Sequence, residues 1–149
     1  MKIAVASDHR GFEAKEQVKA QVAQMGHECL DYGTTSNNPV DYPDLAYVAA
    51  KAVSGHEVDR AILICGTGIG MCITANKVPG IRAALAHDVY SAERARKSNN
   101  AQILTLGAVV IGPEAAKKIV EAWLPSDFVG GRSARKVAKI DAVDRRYRA

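Results

Sequence analysis

Five short apolar runs, most of them followed by a segment long enough for a helix, constrain this chain more than anything else in it. Lys2–Ala6, Glu28–Tyr32, Ala61–Cys65, Arg82–Ala86 and Ile103–Leu106 read as strands. Phe12–Met25, Asp44–Ser54, Gly70–Lys77, Val89–Ser98 and Pro113–Leu124 read as helices. A sixth, Ser133–Tyr147, carries Val137, Ile140, Val143 and Tyr147 on one face. The helix over 12–25 has Glu13 and Glu16 in its first turn and Gly26 as a stop, and the one over 113–124 opens on proline. Strands separated by helices imply βαβ units. The expected fold is a three-layer, Rossmann-like α/β domain: a five-stranded parallel sheet in flavodoxin-like order 2-1-3-4-5, with helices on both faces.

One domain accounts for residues 1–149, since 149 residues at 48% hydrophobic content can bury one core and no linker or repeat divides them. The helix near 133–147 is expected to pack on that core or on a partner subunit. Three cysteines without a CxxC pair argue against a disulfide framework and fit a reducing compartment. The first residues are too short an apolar stretch for a signal peptide, and no stretch reaches the ~18 residues of a membrane span, so a cytoplasmic location is expected. No His, Cys, Asp and Glu spacing suits a zinc or iron site, so no metal is expected. The net charge of +4 is concentrated at the end, where Arg132, Arg135, Lys136, Lys139, Arg145, Arg146 and Arg148 face only Asp141 and Asp144. No readout motif accompanies it, so the tail reads as a solvated face or a grip on a phosphorylated small molecule, not as a nucleic-acid site.

In the assumed order, strands 1 and 3 are neighbours at the point where the topology reverses, and open α/β sheets bind ligands there, beyond the carboxyl ends of the strands. The residues following these two strands are Ser7-Asp8-His9-Arg10-Gly11 and Cys65-Gly66-Thr67-Gly68-Ile69-Gly70. Glycines let bare N–H groups approach an anion, and a helix start adds unpaired donors and the positive end of a dipole. A thiol beside such a start has its thiolate stabilised. Cys65 therefore reads as a base or nucleophile beside an oxyanion cradle. Its loop is neither Gly-x-Gly-x-x-Gly nor a P-loop, and Met71 stands where a cysteine phosphatase would need arginine. Gly33–Pro43 reads as a functional loop. His27 and His56 read as surface residues, and His87-Asp88 as a cap of the following helix.

These residues, with Phe12, Asp41-Tyr42-Pro43, the run Ala75–Ala83, Asn99-Asn100-Ala101 and Gly130-Gly131-Arg132, resemble the type B ribose-5-phosphate isomerases. That family also includes galactose-6-phosphate isomerase subunits and allose-6-phosphate isomerases. The resemblance spans nearly the whole chain. It implies aldose–ketose isomerisation through an enediol, without cofactor or metal, most simply of ribose 5-phosphate. Cys65 would be the base, with Thr67 and the loop through Gly66, Gly68 and Gly70 holding the oxyanion. Asp8, His9 and Tyr42 would grip the sugar, Asn99 would meet the enediol, and Arg132 and Lys136 the phosphate. A homodimer, or dimer of dimers, would share the site. The chain departs from the family at Ser98, where a ring-opening histidine is usual, and at Val109, where an arginine commonly meets phosphate. Ser133 and Lys136 likewise replace the usual histidine and arginine. His9 is left as the ring opener and catalytic partner of Cys65, and Arg10 and Arg135 as further phosphate contacts. Other pentose or hexose phosphates, or a non-catalytic phosphosugar-binding role, are the alternatives.

Overall fold

A computed structural model describes residues 1–148. Five parallel strands, β1 (Lys2–Ser7), β2 (Glu28–Asp31), β3 (Arg60–Cys65), β4 (Ala83–Leu85) and β5 (Ile103–Gly107), form one sheet. The helices are α1 (Phe12–Gln24), α2 (Tyr42–Ser54), α3 (Ile69–Asn76), α4 (Val89–Lys97), α5 (Pro113–Trp123) and α6 (Arg132–Arg146). Side chains alternate across each buried strand. Ile3, Val5, Ile62, Ile64, Leu104 and Leu106 meet α1, α4 and α5 through Val18, Val22, Ala92, Ile119 and Trp123. Ala4, Ala6, Ala61, Leu63, Cys65 and Ile103 meet α2 and α3 through Ala46, Ala49, Ala50, Met71 and Ala75.

The strand order is β2-β1-β3-β5-β4, not 2-1-3-4-5. The reason lies in the two strands exchanged. All five residues of β5 (Ile-Leu-Thr-Leu-Gly) are buried, whereas β4 is three residues long and only part-buried. The longer, more apolar strand gains more by lying inside the sheet, and the short one tolerates an edge. The crevice between β1 and β3 is unaffected, but Gly107 becomes the neighbour of Cys65 across the β3–β5 pair.

Several ends differ from the sequence reading. Helix α2 begins at Tyr42, two residues early, with Pro43 in its first turn. Asp88 does cap α4, its Oδ1 accepting from the Ser91 N–H at 2.7 Å. The apolar stripe of α6 is covered unevenly within one chain. Val137 is buried, but Ile140 is 45% and Val143 60% exposed. Polar ties dock the C-terminal half instead: Arg82 Nη1 to Asp141 Oδ1 at 2.7 Å, the Gly80 N–H to Asp144 Oδ2 at 2.8 Å, and Arg148 Nη1 to the Lys77 carbonyl at 2.7 Å.

Two buried arginines hold the connection between α5 and α6. Arg60, heading β3, donates to the Leu124 carbonyl at 2.9 Å and the Ser126 carbonyl at 3.0 Å and pairs with Asp127 at 2.7 Å. Arg96 donates to Ser126 as well and to Ala101 at 2.9 Å. Burial, with Arg60 close by, brings its guanidinium down to about 10. A charge heading an apolar strand was the only sequence sign of this anchor.

Candidate active site

Cys65 ends β3 and is 4% exposed. The Gly68 N–H donates to its Sγ at 3.1 Å, so a backbone dipole points at the sulfur from the loop that opens α3. Gly68 stands at φ 77°, a left-handed conformation glycine adopts without a Cβ penalty, and a Cβ there would lie 2.8 Å from the Leu106 backbone. Thr67 is exposed at the tip of the loop, its Oγ1 accepting from the Ile69 N–H at 3.3 Å. The other two cysteines sit in different surroundings. Burial pushes the thiols of Cys29 and Cys72 up, away from the thiolate form.

The second wall comes from the end of β1. The Asp8 N–H donates to the Ile64 carbonyl at 3.2 Å, which brings that wall against β3. The Asp8 carboxylate caps a short 3-10 turn, His9–Gly11: its Oδ1 accepts from the Arg10 N–H at 3.0 Å and the Gly11 N–H at 3.2 Å. These bonds leave Oδ2 without a donor among the described residues. His9 is held by the loop over 33–41, whose Val40 N–H donates to its Nδ1 at 3.2 Å. That bond places the ring proton on Nε2. The loop then delivers Tyr42.

Two glycines make room for side chains above the thiol. A Cβ on Gly66 would lie 2.7 Å from the Arg10 guanidinium, so Arg10 lies flat on the loop. A Cβ on Gly70 would run into the Tyr42 ring, so that ring roofs the start of α3. Gly70→Ala is therefore expected to displace Tyr42 and raise KM by about tenfold or more, with kcat falling less. Steady-state kinetics and near-ultraviolet circular dichroism of the tyrosine check this. An unchanged KM would mean that the phenol does not touch the substrate.

The chain thus gathers Asp8, His9, Arg10, Tyr42, Cys65, Gly66, Thr67, Gly68 and Gly70 into one crevice. It does not gather Ser98 and Asn99, which follow α4 and precede β5. Ile103 opens β5 beside Ala61 while Gly107 lies beside Cys65, so four residues of strand, roughly 13 Å, separate the two levels. Asn99 instead lines a groove of about 590 Å³ with Arg82, Arg94, Ile140 and Val143. Arg132, Arg135 and Lys136 are exposed at the start of α6. Asn76, part of the motif, serves the fold: it bonds both backbone groups of Ala83, at 2.8 and 3.0 Å, and so ties α3 to β4.

The sequence places His87-Asp88 at the cap of α4 and, by its position after β4, makes His87 the proton relay to consider after His9. The structure adds a contact at the site, where the Gly107 N–H donates to His87 Nε2 at 2.9 Å. The pairing of β4 with β5 brings the two residues together, and the exchange of the two strands puts Gly107 beside Cys65. Among the described residues, no group of His, Cys, Asp and Glu is arranged to hold a metal ion. No described helix is long and apolar enough to cross a membrane.

A sequence model of the family described as Ribose/Galactose Isomerase matches residues 3–140. A Listeria innocua protein named Ribose-5-P isomerase B is 51% identical over 148 residues, covering 99% of this chain and 100% of that one. A Pectobacterium atrosepticum protein named D-erythrulose-4-phosphate isomerase is 54% identical over 142 residues, covering 94% of this chain and 93% of that one. The fold superposes on Clostridium thermocellum ribose-5-phosphate isomerase B with a TM-score of 0.96 at 46% identity, covering 99% of each chain.

Proposed function

Because the chain belongs to the ribose/galactose isomerase family and is an aldose–ketose isomerase of sugar phosphates, we propose that the crevice at Cys65 is where an enediol forms, with Cys65 as the base. The observation that carries this reading is the Gly68 N–H aimed at Sγ beside an exposed Thr67 hydroxyl. The Cys65 thiolate takes the proton from C2 of the aldose. The C–H electron pair becomes the C1–C2 double bond, and O1 takes the negative charge. Thr67 and the N–H groups between Gly66 and Gly70 hold that charge, a contribution that is large because the donors are already in place. The proton of the C2 hydroxyl passes to O1, the electrons of the C1–C2 double bond take back at C1 the proton that Cys65 holds, O2 becomes the carbonyl, and the ketose leaves with the thiolate restored. Asp8 Oδ2, His9 Nε2–H and the Tyr42 phenol are free to bond sugar hydroxyls, and Arg10 to meet the phosphate.

Asn99, Arg132, Arg135 and Lys136 complete the site from a second copy of this chain. The distance between Asn99 and Cys65 along the sheet supports this, as does the exposed apolar stripe on α6. Two variants test the sharing. Cys65→Ala and Asn99→Ala homodimers are each expected to be poorly active, while mixing and reassociating them should restore about a quarter of wild-type activity, since half the dimers are mixed and half their sites intact. No recovery on mixing would refute the shared site.

The substrate is a short phosphosugar. Ribose 5-phosphate is the choice favoured by the Listeria relative's name, and a four-carbon phosphosugar by the Pectobacterium relative's. Turnover in deuterium oxide tests the chemistry. An isomerase working through an enediol places solvent deuterium on the isomerised carbons, whereas a protein that only binds the sugar leaves them undeuterated.

A further inference from the structure

The Asn99 side chain is exposed and makes no hydrogen bond among the described residues, yet the turn that carries it is tied down from several elements. From α4, the Arg94 carbonyl accepts the Asn99 N–H at 3.2 Å, and the Arg96 guanidinium donates to Asn100 Oδ1 at 3.1 Å and to the Ala101 carbonyl at 2.9 Å. Asn100 stands at φ 49°, in the left-handed region that asparagine enters more readily than most residues. From the segment before β4, Arg82 Nε donates to the Asn100 carbonyl at 3.0 Å. Gln102 bonds back from the other side of the turn: its Oε1 accepts the Arg82 N–H at 2.7 Å, and its Nε2 donates to the Gly80 carbonyl at 2.9 Å. From α6, Asp141 Oδ1 accepts from Arg82 Nη1 at 2.7 Å. One guanidinium thus joins the Asn99 turn to the helix that opens with Arg132.

The turn is already held to α4 by Arg96, so Arg82 is not needed to form it. What Arg82 adds is a fixed direction. The side chain of Asp141 is 34% exposed, and an ion pair so open to solvent contributes little stability. A planar guanidinium bonded at both ends, by contrast, holds its two partners in one mutual geometry. A group that must meet a reacting substrate needs such a hold, since a displacement of about 1 Å can cost about 10²-fold in rate. Resting on the reading that Asn99 completes the crevice of a second copy, we propose that Arg82 is a positioning residue of the isomerase. Through its bonds to the Asn100 carbonyl and to Asp141, it aims the free Asn99 side chain at that crevice. It acts through Asn99 and not on the sugar.

Arg82→Lys keeps the charge and the stem, but one ammonium cannot occupy the positions of Nε and Nη1 at once. It is expected to lower kcat about tenfold with KM within about threefold, and to leave Tm within about 4 °C of wild type. Asp141→Asn, whose amide oxygen still accepts, should keep kcat within about threefold, whereas Asp141→Ala should match Arg82→Lys. Mixing separates positioning from a general weakening of the protomer. Arg82→Met reassociated with Cys65→Ala should recover about a quarter of wild-type activity, and reassociated with Asn99→Ala should recover none. Recovery with Asn99→Ala would place the defect in the Cys65 crevice, and recovery with neither would place it in the whole protomer. Either result would overturn the proposal, as would a kcat for Arg82→Lys within about threefold of wild type. Recovery between Cys65→Ala and Asn99→Ala would in each case leave the shared site standing. Its absence would overturn both.

Discussion

Cys65→Ala is expected to lower kcat on the order of 10²–10⁴-fold, the range lost when a positioned acid–base group is removed. The fold should survive. Cys65 behaves structurally as a small buried residue facing α2 and α3, and losing one sulfur there costs about 1 kcal/mol. Substrate binding should remain measurable by calorimetry, because Asp8, His9, Arg10 and Tyr42 are anchored by their own contacts with β3, Val40 and the glycine loop. Alkylation of Cys65 in the wild type should be slowed by bound phosphosugar. Turnover by the alanine variant within a few-fold of wild type would refute the base assignment and leave the crevice a binding site.

Asp31→Ala is expected to destabilise the fold strongly although it lies away from the site. The side chain of Lys15 is wholly buried, and its Nζ lies 2.6 Å from Asp31 Oδ2. Lys19 reaches the same oxygen at 2.8 Å, and the Gly33 N–H donates to Oδ1 at 2.8 Å. Burial pushes the Asp31 carboxyl up, but the bonds from Lys15, Lys19 and Gly33 outweigh it and leave it below its ordinary value. Removing the carboxylate strands a buried ammonium. The expected loss is about 3 kcal/mol, the low end for a broken buried pair because Glu16 remains 3.3 Å from Lys15. For a domain of this size that is a fall in Tm of about 6–12 °C. Since the folded carboxyl titrates below the unfolded one, this stability is present above the unfolded carboxylate range and disappears as pH falls through the folded value. Calorimetry at pH 7 and along an acid series reads both effects. A variant within 0.5 kcal/mol of wild type would show that Lys15 finds another partner, and Lys15→Met in the Asp31→Ala background should recover part of the loss.

This pair also bears on the site. Gly33, held by Asp31, accepts the Ser7 N–H at 2.7 Å, and the Thr34 N–H donates to the Ser7 carbonyl at 2.7 Å. The backbone just before Asp8 is therefore clamped by the segment that follows β2. Nothing in the spacing of Lys15 and Asp31 along the chain indicated this, because their meeting depends on α1 lying across β2.

The alternation of strands and helices, the parallel sheet with two covered faces, and the meeting of Asp8 and Cys65 across β1 and β3 are all legible in the order of the residues. Each of these follows from local periodicity or from a topological rule that acts on neighbouring segments. That β5 lies inside β4 emerges only from packing, because the order depends on the relative burial of two whole strands and not on either one's pattern. The same exchange set Gly107, whose N–H meets His87, beside Cys65. Tertiary structure also decided which nitrogens of His9 and His87 are spent on backbone N–H groups, and that Arg10 and Tyr42 occupy the space two glycines leave open. Such contacts join residues far apart in the chain, and their energies are realised only after the backbone has brought the segments together.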